Sequence, residues 1–151
     1  MARPLRVGVG ILAILAAGCS SEGAPVPRAC ASEPAAIVEA LAGAPGAVVL
    51  DDGTRISTCV SRARSPEELQ TLAVVLTRVA DELGDRVEGD TEAATALGYL
   101  AGAVQRGAAS SQAGVAAQLS ARIERAAGRI GGAPAAAADM QRGLQAGRRS
   151  G

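Results

Sequence analysis

The residues with the greatest chemical capacity are three cysteines, Cys19, Cys30 and Cys59, set in a chain of 151 residues that contains no histidine. The lack of histidine removes the usual Ser-His-Asp and Cys-His constellations. It also removes the His-containing zinc sites and the commonest general acid–base group. Asp51 and Asp52 are adjacent carboxylates of the kind that can support hydrolysis, but they precede Gly53, and an Asp-Asp-Gly run ordinarily serves the turn it sits in. Neither a nucleophile nor a pocket signature accompanies them. The residues therefore argue against an enzyme, and no cofactor or metal ion is expected.

Cys19 closes an ordered N-terminal segment. Arg3 and Arg6 supply a basic start, Val7 to Ala17 an apolar stretch, and Gly18 a small residue just before the cysteine. That order fits an export signal. The apolar run is well short of the roughly 20 residues that a membrane-spanning helix needs. With the cysteine at the cut, residues 1–19 resemble a bacterial lipoprotein signal peptide. Leu15-Ala16-Ala17-Gly18-Cys19 occupies the place of the lipobox; Gly18 and Cys19 match it, while Ala16 rather than leucine stands three before the cysteine. Plain secretion is the alternative, because Ala16-x-Gly18 resembles an A-x-A-like cleavage site.

The resemblance covers residues 1–19 only, and it implies the following. Residues 1–18 are removed, and Cys19 takes a diacylglyceryl thioether and becomes the mature N-terminus. Two or three fatty acyl chains of the palmitate type then anchor stably, where one chain binds only marginally. Ser20 after the cysteine implies an outer-membrane address in a two-membrane bacterium, or the outer face of the plasma membrane in a one-membrane bacterium. Giving Cys19 to the lipid leaves Cys30 and Cys59 as an even pair in an oxidising compartment, so one disulfide is expected. The alternative is two buried free thiols acting as small hydrophobes. A disulfide closing this loop would stabilise the fold by about 3–4 kcal/mol in the chain-entropy model.

A mature chain of about 130 residues suits one domain with a modest core. All basic side chains are Arg, there is no Phe or Trp, and Tyr99 is the sole aromatic residue. The core must therefore be built from Leu, Val, Ile and Ala, which implies close helix packing. Fifteen basic and fifteen acidic residues balance, and the mature part becomes slightly acidic once Arg3 and Arg6 leave. No strongly basic domain is present to argue for nucleic acid.

The elements that must carry these residues read as mainly α: a small three- to four-helix bundle with a short N-terminal β-hairpin and one disulfide. Residues 19–33 form a lipid-anchored tether, residues 34–130 the helical domain, and residues 131–151 a weak helix or a disordered tail. Ser32 is placed to cap a helix over Glu33–Ala42 that Gly43 closes. Residues 47–60 alternate about Asp52-Gly53 and predict a hairpin, with Ile56, Thr58 and Val60 on one face and Arg55, Ser57 and Cys59 on the other. Ser65-Pro66-Glu67-Glu68 is a capping box, opening a helix to about Leu83. A further helix runs from Asp90 or Thr91 to about Arg106, with Gly98 and Gly102 four apart, which suggests a close backbone approach. A third long helix spans Ser111–Arg129.

Two features stand out as candidate partner surfaces. Tyr99 lies opposite Leu97 on its helix, so either both faces of that helix are covered or Tyr99 is exposed. Arg122, Arg125 and Arg129 line one flank of the third helix with Gln118, a face suited to anions or lipid headgroups; internal pairing with the acidic junction is the plainer reading. That junction (Asp81, Glu82, Asp85, Glu88, Asp90, Glu92) offers carboxylates to Ca²⁺ but fails the EF-hand pattern, because Leu83 stands where a ligand belongs. The expected function is a lipid-anchored, non-enzymatic envelope module that binds a protein or a cell-wall polymer. The alternative is a secreted domain for a small ligand or Ca²⁺.

Overall fold

A computed structural model describes residues 24–111, 114–128 and 134–151. Cys19 and the signal segment, together with Arg129, lie outside the described residues. The described chain is helical: a 3-10 turn (Arg28–Ala31), α1 (Pro34–Leu41), α2 (Ile56–Arg62), α3 (Pro66–Gly84), α4 (Thr91–Ala109), α5 (Gly114–Gly128) and α6 (Pro134–Ser150). None of these helices is long and apolar enough to cross a membrane.

Helix α3 starts where its capping box puts it. The Glu68 amide donates to Ser65 Oγ at 3.1 Å, and Glu68 Oε2 accepts from the Ser65 amide at 3.0 Å and the Arg64 amide at 2.9 Å. Pro66 takes the first position, where its missing N–H costs nothing. Leu69, Leu72, Leu76, Val79, Ala80 and Leu83 form the buried stripe. Helix α4 is N-capped by Asp90, whose Oδ1 accepts from the Glu92 and Ala93 amides at 2.9 and 3.0 Å. Helix α1 begins after Glu33 with no side-chain cap, so Ser32 does not take the expected capping place.

The bundle is organised around α4. Every residue from Ala93 to Val104 is buried, and Gly107 as well. A helix apolar on all sides must be enclosed on all sides, and α4 touches α1, α2, α3, α5 and α6. The tightest of these contacts is with α6. A methyl group added to Gly98 would overlap the Met140 carbonyl, and one on Gly102 the Leu144 carbonyl. Reciprocally, Gly143 abuts the Thr95 carbonyl and Gly147 that of Tyr99. The two backbones thus meet with glycine on both sides. Residues 134–150, left open by sequence between weak helix and tail, are the helix that completes this contact.

The hairpin expected over residues 47–60 does not form, and no strand occurs among the described residues. Its turn is present: the Gly53 amide donates to the Leu50 carbonyl at 2.7 Å and the Leu50 amide to the Thr54 carbonyl at 2.8 Å. Gly53 has φ 79°, a left-handed conformation that glycine adopts without steric cost. Hydrogen bonds from the Thr54 side chain and amide hold the Asp52 carboxyl below its usual pKa. Past Arg55, however, the chain enters α2. Ile56, Cys59, Val60 and Ala63 recur at helical spacing and all are buried; a strand would split them between two faces. An isolated two-stranded hairpin is also marginal in water, whereas α2 packs against α4, where Gly107 meets Ser57 and Val60.

Cys30 and Cys59 lie at disulfide distance, with their Cα atoms 5.5 Å apart. Both are almost completely buried. The pair ties the 3-10 turn at the N-terminal side to α2.

Candidate functional site

A groove of about 640 Å³ lies between α3 and α5. Its lining from α3 includes Leu69, Ala73, Val74, Thr77 and Arg78, and from α5 Gln118, Leu119 and Arg122. Helical spacing sets this arrangement. Leu69 and Leu119 are buried floor residues, whereas Val74 projects at the rim with 50% of its surface exposed, one of two large apolar side chains so exposed among the described residues. Arg78 and Arg122 are exposed and share the groove. Among its described lining residues there is no carboxylate.

Helix α5 is held in place from two directions. Leu119, Ile123 and Ala127 are buried. On the other side, Glu124 Oε1 accepts from Gln105 Nε2 of α4 at 2.7 Å and from Ser120 Oγ at 2.9 Å, while Gln105 Oε1 accepts from Arg148 Nε of α6 at 2.6 Å. Arg106 of α4 donates through Nη1 to the Arg148 and Arg149 carbonyls at 3.0 and 2.7 Å, which satisfies two of the orphan acceptors at the end of α6. These cross-links fix the helix that carries Arg122.

The predicted site residues fare differently. Tyr99 is fully buried, so the partner surface expected there is corrected: both faces of α4 are covered, and the phenol lies 3.3 Å from Ser150 Oγ. Enclosure by α6 is the physical reason, and α6 could not be placed from sequence. Arg122 is on the surface as expected, joined by Arg78 of α3, which is exposed and lies off that helix's buried stripe. Arg125 is exposed, and its Nε donates to the Ala121 carbonyl of its own helix at 3.0 Å. Val74 is the groove residue that sequence reasoning missed; its off-stripe position on α3 is the signal that could have found it.

Within the acidic junction, Asp90 has local structural work. Asp90 caps α4 and pairs with Arg86 at 2.8 Å. The hydrogen bond from the Ala93 amide, then that from Arg86, hold the Asp90 carboxyl below its usual pKa. Glu68 is lowered likewise, by the Ser65 and then the Arg64 amide. Among the described residues, no group of three or more His, Cys, Asp or Glu side chains is placed to hold a metal ion.

No protein-family model, curated protein or solved structure matches the chain.

Proposed function

We propose that the chain is an exported bacterial lipoprotein, held by acyl chains on Cys19 at the extracytoplasmic face of a membrane, whose helical domain is a non-enzymatic binding module of the cell envelope. The observation that carries this reading is the ordered signal of residues 1–19, ending in Cys19. Cys30 and Cys59 support it, since an even pair at disulfide distance suits an oxidising compartment. Nine residue steps separate Cys19 from Arg28, where the 3-10 turn begins. At full extension they reach about 30 Å, so the tether keeps the bundle close to the membrane that carries it.

The test is cell fractionation with detergent phase separation, wild type beside Cys19→Ala. The wild type is expected in the membrane and detergent phases, and the variant in the aqueous phase. Identical partitioning of the two proteins contradicts the anchor.

A further inference from the structure

We infer that the α3–α5 groove is the docking site for an acidic amphipathic helix of a partner protein. The inference rests on the reading of the domain as a binding module and names the surface and its partner's chemistry. From Pro66 to Arg78 the groove follows twelve residue steps of α3. At the α-helical rise that is about 18 Å, a little over three turns of a helix laid alongside. Its floor and rim (Leu69, Ala73, Val74, Leu119) offer apolar contact, the surface into which a helix sets side chains at i, i+3, i+4 and i+7.

Charge decides the sign of the partner. Arg78 and Arg122 both line the groove, and no described lining residue is a carboxylate. An approaching cationic helix meets like charge, which costs affinity and slows encounter; an anionic one is steered in and oriented. Guanidinium groups also match carboxylates in geometry, two N–H donors to two oxygens. Gln70, Thr77 and Gln118 add polar groups among the lining residues.

Composition decides against a cell-wall polysaccharide at this place. Sugar rings are gripped by stacking on aromatic faces, and this chain has no Trp or Phe while its single Tyr is buried. A lipid surface is disfavoured by shape, because a bilayer receives apolar side chains that protrude rather than a floor recessed between two helices.

The experiment is an NMR titration of the isotope-labelled full chain carrying Cys19→Ala. One probe is a 14-residue helical peptide with leucines at i, i+3, i+4 and i+7 flanked by glutamates; its counterpart has lysines in place of the glutamates. Saturable shifts are expected at Val74, Thr77, Arg78, Leu119 and Arg122 with the glutamate peptide. Two exposed ion pairs correspond to about tenfold tighter binding than the lysine peptide shows. Arg78→Gln with Arg122→Gln is expected to remove that preference with the melting temperature unchanged, and Val74→Ser to weaken both peptides. Equal binding of the two peptides, no saturable shift, or stronger shifts at these residues from a soluble glycan fragment or anionic phosphatidylglycerol vesicles would each overturn the inference. None of these outcomes bears on Cys19, whose modification is read separately by fractionation.

Discussion

Gly98 lies against the carbonyl of Met140, so close that a single methyl group on Gly98 would overlap it. This contact and its companions at Gly102, Gly143 and Gly147 place α6 on α4, bury Tyr99 and, through Arg148 and Gln105, help fix the helix that presents Arg122. The fold thus reaches the surface groove through a chain of contacts that begins with four absent side chains.

Gly98→Ala and Gly143→Ala are each expected to destabilise the protein by about 2–3 kcal/mol, because overpacking against backbone outweighs the roughly 1 kcal/mol gain in helix propensity. Gly128→Ala is the control: it closes α5 with open space around its Cβ position, and is expected to be neutral or slightly stabilising. Denaturant unfolding of the three variants measures the contrast. Equal effects at Gly98 and Gly128 would remove the α4–α6 contact from the account.

Tyr99→Phe is expected to cost about 0.5–1.5 kcal/mol, the worth of one hydrogen bond, since Ser150 Oγ keeps its bond to the Ala146 carbonyl at 3.0 Å. Tyr99→Ala is expected to cost about 3–5 kcal/mol, as a large side chain removed from a core does. Thermal and denaturant melts distinguish the two. A stable, cooperative Tyr99→Ala protein would mean that this side chain is not in the core.

The Cys30–Cys59 pair, separated by 29 positions, is expected to contribute about 3–4 kcal/mol once oxidised. Mature protein unfolded without reductant is expected to give no thiol reaction at either position, and both positions are expected to react after reduction. Cys30→Ala with Cys59→Ala is expected to melt well below the wild type. Thiol labelling before reduction would show that the pair is not bonded.

The acid limb of stability follows from the carboxylates at the starts of α3 and α4. Glu68 and Asp90 have folded-state pKa values below their unfolded ones. Such groups contribute stability above the unfolded value and lose it as pH falls through the folded one. The melting temperature is therefore expected to be flat near neutrality and to fall below about pH 4. Glu68→Gln with Asp90→Asn is expected to lower the plateau and flatten the fall. A fall of unchanged steepness in the variant would assign the acid sensitivity to other groups. At neutral pH, Ser65→Ala is expected to cost about 1 kcal/mol by loss of the cap.

Much of this was legible in the sequence where local chemistry decides. Ser65 through Glu68 begin α3 by their own hydrogen bonds, and Asp90 begins α4 in the same way. Gly98 and Gly102 announced a close backbone approach, but the sequence did not say to what. The answer, Gly143 and Gly147, lay in a segment rich in Ala and Gly whose helix gains its stability from tertiary contact rather than from propensity. The hairpin failed for a related reason. Asp52-Gly53 does turn the chain, and the residues after it satisfy a period of two on paper. They also satisfy a helical period, and burial of Ile56, Cys59, Val60 and Ala63 together decides between the two. The groove was half visible: Arg122 was in view, but its pairing with Arg78 depends on how α5 lies on α3.

The central claim is the anchored, exported state, and intact mass spectrometry of the protein from a bacterial membrane tests it most directly. The expected product is a mature chain that begins at Cys19 and carries the added mass of a diacylglyceryl group with or without a further acyl chain, lost in Cys19→Ala. A chain of unmodified mass, whether cleaved or retaining Met1, would contradict it.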